Sequence, residues 1–160
     1  MVVVPLPGLL SVVPPLGRSA LVPHVPLLDP FAAVSDLDDG VLSELRSYFA
    51  DVVPFALRLT DLSQFPGGSA YLTPEPAAPF RHLTAGLVRL FPEFARRRGM
   101  FDVVPHLTVQ LGPGEDLERL RSDLDPWLPV ATLAREAALW WLEEDGVRTL
   151  ATFPFGTSAA

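Results

Sequence analysis

Pro23-His24-Val25-Pro26-Leu27-Leu28 and Pro105-His106-Leu107-Thr108-Val109-Gln110 are two short apolar segments of the same cast, each with a proline directly before a histidine. Half the chain lies between them. Each is of strand length, and along a strand successive side chains point to opposite faces. His24 then shares a face with Pro26, and His106 shares one with Thr108. Val25 and Leu27, like Leu107 and Val109, turn to the opposite, core side. If the halves pack as pseudo-symmetric lobes, both histidines can converge on one groove.

Outward from these segments, strands and helices alternate. Val2 to Leu6 predicts a short strand, and Pro5 and Pro7 predict that it lies at a sheet edge or enters a turn, because proline cannot donate to a ladder. One helical turn fits between Gly8 and Gly17, where Pro14-Pro15 stops anything longer. Ala20 to Leu28 predicts a strand that ends at Asp29-Pro30. Between Asp36 and Val52 the apolar positions Val41, Leu42, Leu45, Tyr48 and Phe49 recur at helical spacing behind an acidic amino end. A strand from Phe55, a loop over Gln64 to Gly68 and a strand from Ser69 to Thr73 come next. Phe80, Leu83, Leu87, Val88 and Phe91 then mark a second helix that ends at Pro92. Val103 to Leu111 predicts the strand that carries His106, and a third helix runs from Glu115 to about Leu124. Ala131 to Asp145 is rich in helix formers, yet Asp145-Gly146 is a hairpin signal and Val147 to Phe155 reads as a strand, so a β-hairpin is expected.

At 160 residues the chain is expected to form a single domain, 1–160, with two pseudo-symmetric lobes. The expected class is α+β: antiparallel-rich sheets with helices outside, and no glycine-rich dinucleotide loop. A composition 49% hydrophobic and 19% charged excludes disorder along most of the length. Eighteen prolines keep long helices few. The net charge of −7 disfavours a duplex nucleic-acid partner but leaves room for a short anion in a local pocket. Cysteine is absent, which removes disulfides, thiolate nucleophiles and cysteine zinc sites; lysine is absent too, which removes Schiff-base chemistry. The opening residues match neither a secretory signal nor a spanning helix, so a cytoplasmic protein without a membrane partner is expected; a monomer is the default expectation.

Two imidazoles that flank a phosphodiester are suited to acid–base chemistry, since one can accept a proton while the other donates one. A nearby hydroxyl would hold a non-bridging phosphate oxygen and stabilise charge that develops there. With these residues the chain resembles the two-histidine (2H) phosphoesterase superfamily, which includes 2′-5′ RNA ligase-like proteins and cyclic nucleotide phosphodiesterases. His24 to Phe31 looks like its first His-x-Thr/Ser motif, and Val104 to Val109 looks like its second. Phe65-Pro66, Tyr71 to Pro76 and Phe80 to Pro92 look like its connecting strand and helix, and Arg148 to Gly156 like its closing strand. The resemblance implies a bilobal fold, with two sheets lining a central groove, and metal- and cofactor-independent chemistry on 2′,3′-cyclic or 2′-5′ phosphodiesters of RNA ends or small nucleotides. It makes His24 and His106 the general acid and base, and Thr108 a phosphate-holding hydroxyl. Pro26 departs from the motif, because it offers neither hydroxyl nor amide donor. A groove weakened by Pro26 that binds a nucleotide phosphate without turnover is the alternative, and a purely structural interaction protein is a third reading.

Other residues compete for attention. His82-Leu83-Thr84 also spells His-x-Thr, but inside a helix residues two apart point in different directions, so a site is not expected there. Arg96-Arg97-Arg98 reads as a solvated loop, with a phosphate-gathering rim as the alternative. Trp127, Trp140 and Trp141 read as core or hairpin-face residues, with base stacking as the alternative.

Overall fold

The computed structural model describes residues 1–95 and 104–156. Eight strands form two four-stranded sheets in which every pairing is antiparallel. The first sheet has the order β2-β1-β7-β8, from β1 (Val2–Pro5), β2 (His24–Leu28), β7 (Glu136–Glu143) and β8 (Gly146–Pro154). The second has the order β5-β4-β3-β6, from β3 (Phe55–Gln64), β4 (Ala70–Glu75), β5 (Leu107–Val109) and β6 (Val130–Ala134). The helices are α1 (Leu9–Val12), α2 (Asp39–Ala50), α3 (Ala78–Leu90), α4 (Pro92–Ala95) and α5 (Leu117–Leu124). The class is α+β, as expected.

Helices α2 and α5 start where side chains satisfy their free amides. Asp38 accepts from the Val41 amide at 2.8 Å, and Asp116 accepts from the Arg119 amide at 2.8 Å. Helix α2 buries Leu45 and Phe49, and Phe49 stacks on Phe153 of β8 with ring centres 5.6 Å apart. Helix α3 packs against β2, and Thr84 ties the two together by donating to the Leu27 carbonyl at 2.8 Å. The Tyr48 hydroxyl of α2 donates to the Leu83 carbonyl of α3 at 3.1 Å.

One apolar cluster runs through both sheets. It takes Val2 and Val4 from β1, Val25 and Leu27 from β2, Leu59 and Leu72 from the second sheet, and Leu107 and Val109 from β5. The opposite face of the first sheet carries a smaller cluster of Val3, Ala138 and Trp140. Strand alternation thus separates a helix-facing core from a second surface, and His24 and Pro26 lie on that second surface.

Four expectations are corrected. Strand β1 is interior to its sheet, between β2 and β7. Its pairing with β7 covers only Val2 and Val3, so Pro5 lies past the end of that ladder and its missing amide costs nothing there. Among the described residues the second motif strand is only Leu107–Val109, and His106 sits just before it instead of inside it. The stretch expected as one hairpin arm is two strands: β6 belongs to the second sheet and β7 to the first, with the crossing at Arg135. The β7–β8 hairpin itself is present, but its pairs run to Glu143↔Gly146, so the turn is Glu144-Asp145, one residue early. Gly146 opens β8 with φ 149°, a conformation that side chains resist.

Candidate functional site

Both histidines follow the same dipeptide, in Val22-Pro23-His24 and Val104-Pro105-His106. Their local geometry is also the same. In each, ring Nδ1 lies 2.8 Å from the carbonyl of the valine two residues earlier. A carbonyl only accepts, so each neutral ring keeps its proton on Nδ1 and leaves Nε2 as the nitrogen that exchanges a proton. The proline between valine and histidine has a fixed φ and no amide, which stiffens this local loop.

Strands β2 and β5 are edge strands of separate sheets, and they lie against each other. Proline is tolerated within a strand at such an edge, which accounts for Pro26 inside β2. Core anchors fix each motif: Val25 and Leu27 are fully buried, and Leu107 and Val109 nearly so. Thr108, between the last two, is exposed on the face opposite them.

The two rings have different surroundings. His24 meets the edge of buried Trp140, with ring centres 4.9 Å apart. Burial lowers its pKa from the ordinary histidine value, and the nearby His106 charge lowers it further; the Val22 carbonyl and Asp29 act in the opposite sense. His106 therefore lies within electrostatic reach of His24. It is flanked by Phe65 at 5.0 Å and Tyr71 at 6.0 Å, which stack on each other at 4.1 Å. Tyr71 pairs with Thr108 across the ladder, so His106, two residues before Thr108, is its diagonal neighbour.

A cleft of about 60 Å³ is lined by His24 and Thr108, together with Ser19 and Gln110. A wider hollow of about 470 Å³ adjoins it along the Gly67-Gly68 turn, sharing Ser19, Thr108 and Gln110. Pro26 lies on the His24 face of β2, yet it is not among the residues that line either space. A hollow of about 570 Å³ between Arg58, Glu75 and Ala131 has neither histidine in its lining.

Two signals outside the motifs resolve simply. Thr84 is buried and bonded to Leu27, whereas His82 is exposed, so the helical His-x-Thr shares no face. Trp140 is buried, as expected for a core residue, but it touches His24; Trp127 and Trp141 are exposed at 43% and 38%. Arg96-Arg97-Arg98 lies outside the described residues. Sequence reasoning missed Gln110, Phe65, Tyr71 and Ser19 as neighbours of the motifs. Gln110 was within reach of the alternation rule, as the next residue on the His106–Thr108 face. Ser19 carried no such signal, because a loop has no period. Among the described residues no helix is long and apolar enough to cross a membrane.

No curated protein matches the chain significantly. Its structure is similar to the crystal structure of TT0787 of Thermus thermophilus, with a TM-score of 0.59 and 21% identity over 83% of this chain and 78% of that one. At that identity the likeness shows the fold alone. The sequence model of the 2′-5′ RNA ligase superfamily matches residues 14–146, a span that includes both Val-Pro-His motifs. The chain belongs to the 2′-5′ RNA ligase superfamily, among the two-histidine phosphoesterases.

Proposed function

We propose that this chain is a phosphoesterase acting on 2′,3′-cyclic or 2′-5′ phosphodiesters of RNA ends or small nucleotides, with His24 and His106 as its proton-transfer pair. One observation carries the reading: two histidines with identical Nδ1–carbonyl bonds stand at the starts of neighbouring edge strands, His24 opening β2 and His106 just before β5, with His24 in a cleft with Thr108. In hydrolysis, water attacks phosphorus while neutral His24 takes its proton at Nε2. The bond from phosphorus to one ribose oxygen breaks, and protonated His106 gives its proton to that oxygen. Thr108 donates to a non-bridging oxygen. His24 suits the base role because burial keeps it neutral.

Turnover of 2′,3′-cyclic nucleotides tests this. His24→Ala and His106→Ala should each lower kcat by about 10²–10⁴-fold. Wild-type kcat/KM should be bell-shaped in pH, and a chelator should leave it unchanged. Full activity in the double variant would refute the assignment. The second reading, a phosphate-binding module without turnover, is favoured by Pro26 alone. Calorimetric heat with a nucleotide and no product would establish it.

A further inference from the structure

The motif's first hydroxyl is absent at Pro26, and the cleft holds another. Ser19 follows the short 3₁₀ turn Pro14–Arg18, between exposed Arg18 and exposed Ala20, yet it is itself half-buried and lines the cleft that holds His24 and Thr108. It also lines the adjoining hollow with Thr108. Its Oγ accepts the Leu21 amide at 3.1 Å, which fixes a lone pair toward the backbone and leaves the hydroxyl hydrogen to be given away. The backbone beside it is anchored: the Arg18 guanidinium pairs with Glu115 and Asp123, and Glu115 also accepts the Gly112 amide at 2.8 Å. A hydroxyl already bonded to the Leu21 amide loses little freedom when an anion arrives.

We infer that Ser19 supplies the second phosphate-holding hydroxyl, replacing from a loop what Pro26 removed from the strand. The inference rests on the proposed phosphoesterase reading. Ser19 and Thr108 would then each donate to a non-bridging oxygen of an anion in the cleft that His24 also lines. Such a donor acts on charge that grows in the transition state, so its loss appears in kcat more than in KM.

The test compares wild type, Ser19→Ala, Ser19→Thr and Ser19→Ala with Pro26→Thr on a 2′,3′-cyclic nucleotide, with inorganic phosphate titrated calorimetrically alongside. Thermal melts verify that each variant is folded. Ser19→Ala should lower kcat by about 10²-fold with KM little changed, and Ser19→Thr should keep most of the rate. Adding Pro26→Thr to Ser19→Ala should recover part of the loss. An active wild type whose Ser19→Ala variant is equally fast would overturn this inference and leave the phosphoesterase reading standing. If wild type binds phosphate without turnover, unchanged affinity in Ser19→Ala overturns the inference, and a tenfold or larger loss supports it. If wild type neither turns over nucleotide nor binds phosphate, both fall.

Discussion

Burial against Trp140 makes His24 a sensor of acid as well as a candidate base. Its pKa lies below the ordinary value of 6.5 in the folded protein, so the unfolded chain takes up the proton first as pH falls. The stability it contributes is complete above that ordinary value and is lost progressively as pH drops through it toward the folded value. Melting temperature should therefore decline between pH 7 and 5.5, and His24→Gln should flatten that slope. Parallel slopes for the two proteins would show that the ring is not effectively desolvated. Pro26 makes the other residue-scale prediction. Pro26→Thr in an otherwise native chain should change the rate little if Ser19 already fills the donor role; a tenfold gain would show the role vacant. That His24 and Thr108 lie opposite the core anchors of their strands was legible because alternation is a local signal. Ser19, Phe65 and Tyr71 were not, since only the fold brings loop and neighbouring strand to the motifs.

Helix α3 shows how an element holds a motif in place. Thr84 bonds it to β2, and Gly86 lets α2 approach so closely that an added Cβ would overlap the Tyr48 hydroxyl. Alanine at a helical position normally gains about 1 kcal/mol over glycine. Overpacking costs about 1–3 kcal/mol and should prevail here. Gly86→Ala should thus destabilise the protein by about 1–2 kcal/mol in urea denaturation. In Gly86→Ala with Tyr48→Phe, which removes the clashing oxygen, part should return; a stabilised Gly86→Ala would contradict this packing account. Elements with a clear period, such as α2 and α3, were readable from their apolar spacing. The switch at Arg135 was not. Val130 to Glu143 looks continuous by propensity, and only pairing partners decide that Ala131 faces Arg58 while Ala138 faces Val3. The same limit overextended the strand at His106, since propensity carries no information about where a partner strand stops.

At the scale of the molecule, a single apolar cluster takes side chains from both sheets and from α2, α3 and α5. The sheets should lose structure together. In a Trp127→Phe, Trp141→Phe background, Trp140 fluorescence should follow the same thermal transition as far-ultraviolet circular dichroism; an earlier fluorescence change would mean that the His24 face opens by itself. The net charge of −7 acts at this scale too, and its long-range field works against an extended polyanion. Strands β2 and β5 belong to different sheets although they lie side by side. A seam closed by side chains rather than by a shared ladder can yield by a slight tilt of one sheet, with no backbone hydrogen bond broken. The relative placement of the two Val-Pro-His segments is therefore set by side-chain packing between the sheets and not by a shared backbone register.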